Sequence, residues 1–286
     1  MKNKILELSM RILFFITACA SVAAVVLICI FLFSSSIPAI SEVGLGNFLG
    51  GMKWAPNNQP AQFGIFPMII GSIYVTVGAI IVGVPIGLLT ALFMARFCPP
   101  RAYRVLKPLV ELLAGIPSIV YGFFGMMVLV PFVRNAFGGD GNSVLTAALL
   151  LGIMILPTII GVSEAALRAV PESYYEGALA LGASHERSVF FTVFPAAKSG
   201  VLSAVVLGVG RALGETMAVI MVAGNQPWIP SSILQGVRTL TANIVIEMSY
   251  AADLHREMLI ATGVVLFTLV LLLNLCFSAL NRRKEG

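Results

Sequence analysis

Six stretches of this 286-residue chain are long and apolar enough to cross a lipid bilayer as helices. Such a crossing takes about 20 mostly apolar residues. Because lipid offers the backbone no hydrogen-bonding partner, a chain with several such stretches must satisfy its N–H and C=O groups within helices. The sequence therefore predicts an all-α polytopic membrane protein with six transmembrane helices, at 12–33, 66–94, 109–133, 144–166, 201–224 and 258–280.

The composition agrees with a membrane location. Hydrophobic residues make up 58% and charged residues 11% of the chain, whereas soluble domains carry roughly 25% charged residues. Loop lysines and arginines that orient membrane helices account for the formal net charge of +5. The sequence lacks the interleaved aromatic and basic residues of single-strand binders. We therefore expect membrane lipid, and no nucleic acid, as a partner.

The first span is too long for a secretory signal peptide. Lys2 and Lys4 precede about 22 apolar residues, whereas the apolar region of a signal peptide has roughly 7–15. We interpret it as an uncleaved helix. The chain then divides into an N-terminal span with its outer loop (1–65), a core of five spans (66–280) and a basic tail (281–286).

The distribution of lysine and arginine predicts that both termini are cytoplasmic, because cytoplasmic loops carry the excess of these residues. With that orientation, 13 of the 18 basic residues lie in inner segments, and Arg211 lies within the fifth span. The outer segments hold the other four: Lys53, Arg134, Arg238 and Arg256.

Two long outer segments, 34–65 and 225–257, carry the two tryptophans, Trp54 and Trp228. Tryptophan is enriched at membrane interfaces, and an interfacial position is one interpretation. The other is a landing surface for an outside protein or an outer gate. The stretch 231–245 is too polar to span the membrane, and we expect a surface or re-entrant helix there.

Arg211 and Glu215 are charged residues near the centre of the fifth span. A charge at that depth costs about 2.5–3.5 kcal/mol on insertion scales, and intramembrane charges usually mark a solute or ion pathway. At positions i and i+4 of one helix, the two side chains share a face. One interpretation is a structural ion pair. The other is a solute site, because an arginine fork suits phosphate or carboxylate oxygens.

Prolines and glycines punctuate three other spans. Pro85, Pro117 and Pro157 each remove a backbone donor and favour a bend. Ordinary kinking is one interpretation, and a bundle that opens and closes is the other. Ser118 and Tyr121, which follow Pro117, either line a cavity in such a bundle or simply pack.

The remaining titratable residues give little support to a metal or catalytic site. His185 and His255 are far apart, and none of the four cysteines forms a CxxC pair. Glu111, Glu164 and Glu172 lie at span ends or in an inner segment, where we expect them to be solvated or at the lipid headgroups.

The inner segment 174–195 has a pattern of its own: Glu176, Gly177 and Ala178, then Gly182, and Pro195 at its end. This pattern resembles the EAA motif of bacterial ABC-importer permeases, which have the type I importer fold. Gly177 in place of alanine, Thr192 in place of isoleucine and Phe194 in place of leucine depart from that motif, but the spacing is kept. The resemblance implies a coupling helix that binds a cytoplasmic ATPase.

Three stretches extend the resemblance, at 114–122, 171–183 and 211–219. Together they are similar to phosphate-specific permeases, and the continuation 220–225 is most similar to the PstC type. The resemblance implies a substrate pathway that includes Arg211, Glu215 and Thr216, with Ser118 and Tyr121 as further candidates.

The family further implies a heterodimer with a second, PstA-type permease, a cytoplasmic ATPase dimer and an extracytoplasmic phosphate-binding protein, in a bacterial inner membrane. This chain has no GxxxxGK[ST] loop and no nucleophile–base constellation. We therefore expect no enzyme activity and no cofactor on this chain, with ATP used by the partner. Alternatives are a permease for another oxyanion or a phosphonate, and an ion-coupled secondary transporter.

Overall fold

The computed structural model describes the backbone of residues 2–282, and the side chains within that range except 2–6, 278 and 280–282. The predicted basic tail 281–286 thus lies outside the residues whose side chains are described. The elements in chain order are α1 (Lys2–Val43), α2 (Leu45–Gly50), β1 (Trp54–Ala55), β2 (Gln62–Phe63), α3 (Phe66–Leu92), α4 (Pro100–Gly115), α5 (Ser118–Phe124), α6 (Val130–Phe137), α7 (Val144–Arg168), α8 (Glu172–Ala180), α9 (His185–Ser188), α10 (Phe194–Ala196), α11 (Lys198–Gly214), α12 (Met217–Val222), α13 (Leu240–Glu247) and α14 (Asp253–Arg282).

Single wider π-helical turns extend or join some of these helices, at Phe93–Phe97, Gly125–Leu129 and Val189–Val193. Within the described residues, five helical segments are long and apolar enough to span a bilayer, and His185–Ala196 with Lys198–Gly214, bent by 70°, makes a sixth. The predicted all-α architecture with about six spans is confirmed. The five are Glu7–Val43, Phe66–Phe97, Ser118–Phe137, Val144–Arg168 and Asp253–Phe277.

The central helix of the bundle is α7, and glycines let its neighbours approach it closely. A Cβ at Gly83 of α3 would come within 2.7 Å of the Gly152 carbonyl oxygen, and one at Gly87 within 2.8 Å of Ile159. Gly208 of α11 also faces Ile159, at 3.0 Å. Small residues permit such close packing of membrane helices. Both α3 and α11 are therefore held against α7.

The third predicted span, 109–133, begins too early. The chain is extended at Ile116 and Pro117, which separates α4 from α5. A residue that precedes proline is disfavoured in helical conformation, and this restriction accounts for the break. The span is therefore 118–137, and α4 is a separate helix with no fully buried residue.

The other two prolines do not interrupt their helices. Pro85 lies inside α3 and Pro157 inside α7, and both helices continue past them. Membrane helices tolerate proline where neighbouring groups and local adjustments satisfy the freed backbone carbonyl. Of the three predicted proline positions, only Pro117 therefore coincides with a break in a helix.

The fifth predicted span, 201–224, is not one helix. The helix α11 ends at Gly214, Glu215 is extended with φ −68° and ψ 132°, and α12 begins at Met217. The expectation that Arg211 and Glu215 share one helix face is therefore wrong. Glycine is a weak helix former, by about 1 kcal/mol relative to alanine, and Gly214 stands where the helix ends.

The outer segment 34–65 is more ordered than predicted. The helix α1 runs to Val43, and Trp54 pairs with Phe63 in a short antiparallel hairpin of β1 and β2. Trp54 is 7% exposed and packs in a core with Phe48 and Met258, so its indole is covered by protein and not by lipid. Trp228, in contrast, is 53% exposed.

A buried carboxylate, Glu247, ties this hairpin to the rest of the outer layer. Its Oε2 accepts hydrogen bonds from Trp54 Nε1 at 2.7 Å and His255 Nε2 at 2.9 Å, and its Oε1 accepts one from Arg238 at 2.7 Å. Glu247 is the last residue of α13 (Leu240–Glu247), which includes the end of the predicted surface or re-entrant stretch 231–245. Most of α13 is buried, so a surface helix is the wrong alternative.

Glu164 is a second buried carboxylate, so the expectation that it is solvated or at the lipid headgroups is wrong. Its side chain is 2% exposed and forms ion pairs with Lys107 at 2.9 Å and Arg168 at 2.8 Å. Tyr103 donates a third hydrogen bond at 2.7 Å, and that bond raises the pKa of the tyrosine. The residues of this cluster come from α4 and the end of α7, so it fastens α4 to the bundle. Glu111 and Glu172 are exposed, as expected.

Candidate substrate pathway and coupling segment

Arg211 is half-buried in the last turn of α11 and carries a charge that no carboxylate balances within the described residues. Its guanidinium donates one hydrogen bond, to the hydroxyl of Thr158 on α7, at 3.2 Å. Among the side chains that the structure describes, none of the ion pairs involves Arg211. A guanidinium has five donors in a planar fork. Most of that fork is therefore available to an anion.

Glu215 does not pair with Arg211 because its carboxylate turns to the next helix. Its Oε1 accepts hydrogen bonds from the backbone N–H groups of Thr216 at 3.1 Å and Ala218 at 3.4 Å. The first N–H groups of a helix have no intrahelical partner, and a negative charge is favoured there. Glu215 therefore stabilises the start of α12.

Of the other three predicted pathway residues, Thr216 lies in this break, whereas Ser118 and Tyr121 lie beside the break at Pro117. Thr216 donates its hydroxyl hydrogen to the Gly214 carbonyl at 3.2 Å. Tyr121 is 5% exposed and donates to the Leu113 carbonyl at 2.9 Å, so its ring packs in the core and its hydroxyl spans the break at Pro117. Ser118, half-exposed, begins α5, which packs on α12.

One face of α11 is uncovered in this chain. Gly214 is exposed, and a Cβ there would meet nothing within 4 Å, whereas Gly210 faces α14 across a small gap. Ser203 and Leu207 are exposed on the same side of the helix, at the spacing of one turn. Arg211 thus lies next to an open surface of small residues, where another helix or a solute can come close.

The segment 174–195 forms the helix–turn–helix that its motif spacing predicts. The helix α8 ends at Ala180, and Gly182 follows with φ +85°. The Gly182 N–H donates to the Leu179 carbonyl at 2.9 Å, and the Ala183 N–H donates to the Ala178 carbonyl at 3.1 Å. These are the two bonds of a Schellman cap, which places glycine in the left-handed conformation.

The outer surface of this segment is unusually open. No residue of α8 is buried, and a Cβ at Gly177 or Gly182 would meet nothing within 4 Å. Leu181, at the turn, is 92% exposed, while Glu176 and Pro195 are also exposed. The turn of the segment therefore presents a large apolar side chain that is free to contact another protein.

The inner surface of the segment is fastened to the bundle. Tyr175 and His185 are joined by a 2.7 Å hydrogen bond between the tyrosine hydroxyl and Nδ1. The His185 ring also packs edge-on against Phe97 at 4.7 Å. Arg96 forms a 2.8 Å ion pair with Glu172. These contacts connect α8 and α9 to the ends of α3 and α7.

Sequence reasoning missed two hydroxyls at the break. Thr158 contacts Arg211, and Thr241 Oγ1 donates to the Glu215 carbonyl at 3.1 Å. Both are single threonines in apolar or mixed stretches, with no motif to mark them. The position of Thr158, a polar residue directly after Pro157 in an otherwise apolar span, could have marked it.

Comparison with protein families supports the interpretation of the motif. A family model described as the binding-protein-dependent transport system inner membrane component matches residues 83–286. A probable ABC transporter permease protein, YqgH of Bacillus subtilis, is 37% identical over 277 residues, which cover 94% of this chain and 90% of the relative. The phosphate transport system permease protein PstC of Mesorhizobium japonicum is 34% identical over 281 residues, covering 90% and 85%.

Solved structures of low sequence identity share the fold. A bacterial alginate ABC transporter in complex with a periplasmic protein matches with a TM-score of 0.66 at 14% identity, covering 94% of each chain. The MetNI methionine ABC transporter, in an inward-facing conformation, matches with a TM-score of 0.57 at 21% identity, covering 77% of this chain and 94% of that one. The bundle is therefore the fold of an ABC importer permease.

Proposed function

The chain belongs to the family of binding-protein-dependent transport system inner membrane components, and on that premise we propose that it is the permease subunit of an ATP-driven importer of inorganic phosphate. The observation that carries the proposal is the Arg211 guanidinium, half-buried in the bundle with a neutral hydroxyl as its hydrogen-bonding partner. An arginine fork binds tetrahedral oxyanions through paired N–H groups.

Phosphate is favoured over other substrates by the PstC relatives, such as that of Mesorhizobium japonicum. Another relative is described more generally as a probable permease, and the structural neighbours carry alginate and methionine. Arg211 provides charge and N–H donors, which any oxyanion accepts. Another oxyanion or a phosphonate is therefore the second candidate, and selectivity rests with the binding protein.

Energy for transport comes from a partner, because the sequence contains no phosphate-binding loop of the P-loop type. A cytoplasmic ATPase dimer would bind the exposed surface of 174–195, with Leu181 as the apolar anchor at the turn. A large side chain that fills a partner's pocket contributes most to such an interface. Closure of the ATPases would then move α8 and α9, and with them the inner ends of the spans.

The remaining partners complete the pathway. The uncovered face of α11, which carries Ser203, Leu207 and Gly214, would pack against a second permease of the PstA type, so that the substrate passes between the two chains. The extracytoplasmic phosphate-binding protein would dock on the outer layer. Both termini would be cytoplasmic in a bacterial inner membrane, as the excess of lysine and arginine predicts.

The test is uptake of radiolabelled phosphate by proteoliposomes that contain this chain with its second permease, ATPase and binding protein. We expect uptake that requires internal ATP and the binding protein and that persists when ionophores collapse ion gradients. Excess sulfate should not compete. Uptake driven by an ion gradient without ATP would contradict an importer of this class, and preferential uptake of a competing phosphonate would move the proposal to the second candidate.

A further inference from the structure

The break between α11 and α12 separates two charges that a continuous helix would bring together. Arg211 and Glu215 are four residues apart, the spacing at which opposite charges on a helix pair. Pairing would be strong at this depth, because Coulomb attraction increases as the effective dielectric constant falls. An ion pair would also remove the positive charge that an anion needs. Something must therefore hold the Glu215 backbone in its extended conformation.

The hydroxyl of Thr241 makes that contact. Its Oγ1 donates to the Glu215 carbonyl at 3.1 Å, across a sequence separation of 26 residues. The carbonyl lies in the break between two helices, where regular helical bonding is interrupted. A buried carbonyl without a partner costs about 1–3 kcal/mol. The Thr241 hydroxyl therefore stabilises the extended backbone and not a continuous helix.

The Thr241 hydroxyl is oriented by its own neighbours. Thr239 Oγ1 lies 3.0 Å from Thr241 Oγ1 and accepts a hydrogen bond from the Ala242 N–H at 3.2 Å. A hydroxyl has one hydrogen to donate. Because Thr241 gives its hydrogen to Glu215, the hydrogen between the two threonines must come from Thr239. The result is a directed chain of three bonds in a buried site, with both threonines about 5–6% exposed.

The helix that carries Thr241 is itself fixed at both ends. At its start, the Leu240 N–H donates to Ser72 Oγ of α3 at 2.9 Å. At its end, Glu247 holds Trp54, Arg238 and His255. A short helix of eight residues has little stability of its own. These outside contacts make α13 a rigid support for the break.

We propose that Thr241 is a positioning residue that keeps the Glu215 carboxylate on the start of α12 and away from Arg211, so that the Arg211 charge stays free for the substrate anion. The proposal rests on the proposed function for the identity of that anion. The position of the two side chains does not depend on which oxyanion is carried.

The test measures the reactivity of Arg211 in the assembled transporter toward phenylglyoxal, a dicarbonyl electrophile to which the nitrogens of arginine side chains add, more readily where no carboxylate pairs with them. Mass spectrometry quantifies modification of the Arg211 peptide, and phosphate uptake is measured in parallel. In Thr241→Val, we expect modification and uptake to fall about tenfold. Thr241→Ser, which keeps the hydroxyl, should retain at least half of both. Thr262→Val is the matched control, because Thr262 is fully buried and bonds within its own helix, to the Met258 carbonyl.

The decisive comparison uses Glu215→Gln, which removes the carboxylate that would neutralise Arg211. In that background, Thr241→Val should change the modification of Arg211 by less than twofold. Equal losses in both backgrounds, an equal loss in Thr262→Val, or no loss in Thr241→Val would overturn the proposal. So would an unreactive Arg211 in the wild-type complex. The modification of Arg211 is measured by mass spectrometry and does not require transport. A failure of this proposal can therefore be distinguished from a failure of the proposed phosphate uptake.

Discussion

The two buried carboxylates among the described residues lie in electrostatic surroundings opposite to those of Arg211, the arginine of the fifth predicted span. Glu164 at the end of α7 and Glu247 at the end of α13 each accept hydrogen bonds from three side chains, two of them basic. Arg211 has one neutral hydroxyl as its partner. Buried charges are costly unless they are paired. The difference separates charges that are paired within the fold from a charge that, under the proposed function, stays available for a substrate anion.

The comparison also distinguishes two effects of a mutation. Removing a paired charge leaves its partners buried without compensation, so the fold is weakened. Removing Arg211 leaves behind a threonine hydroxyl, which is far cheaper to leave unpaired. Stability should therefore respond strongly at Glu164 and Glu247 and weakly at Arg211, while transport should show the reverse order.

Glu247→Ala should have the largest effect on stability. The change leaves Arg238 without a carboxylate partner and the Trp54 indole without its acceptor, and the loss of one partner of a buried pair costs about 3–5 kcal/mol. We expect a lower melting temperature of the purified complex and less protein in the membrane. Glu42→Ala, at an exposed carboxylate of the same outer layer, is the control. Equal melting temperatures for the two variants would show that the Glu247 cluster does not hold the outer layer.

Arg211→Ala should have the next largest effect, on transport alone. A hydrogen bond to a charged group contributes about 1.5–3 kcal/mol, which corresponds to roughly a 10–150-fold loss of uptake. The melting temperature should change little, because Arg211 has no buried carboxylate partner within the described residues. Uptake by Arg211→Lys, which keeps the charge without the planar fork of donors, should be intermediate between that of wild type and that of Arg211→Ala. Full uptake by Arg211→Ala would exclude Arg211 from the pathway.

The contrast between these sites was only partly predictable from sequence. Apolar length predicted the spans, because the cost of exposing backbone to lipid leaves few alternatives. The spacing from Glu176 through Gly182 to Pro195 predicted the helix–turn–helix, since glycine marks the end of α8. Arg211 stood out because charge is rare in an apolar span.

The missing part depended on contacts between distant segments. Hydropathy does not predict where α11 ends. The extended backbone at Glu215 is stabilised by hydrogen bonds that Glu215 accepts from Thr216 and Thr241. Trp54 and Glu247 are 193 residues apart, and neither residue signals the other in the sequence. Glu164 was expected to be solvated because it lies near a span end. Its burial depends on the packing of α4, which the predicted third span did not separate.

Glu172→Gln should have the smallest effect on stability and is the exposed counterpart to the changes at the buried carboxylates. Glu172 pairs with Arg96 at 2.8 Å, a distance as short as those at Glu164, but its side chain is 58% exposed. Water screens such a pair, and exposed ion pairs contribute about 0–1 kcal/mol. Arg96 also donates to the Leu167 carbonyl at 3.2 Å and so keeps a partner. Melting of the purified complex should therefore match wild type closely, while Glu164→Gln is clearly destabilised. A loss for Glu172→Gln as large as that for Glu164→Gln would mean that short ion-pair distance, and not burial, determines how much a carboxylate contributes to this fold.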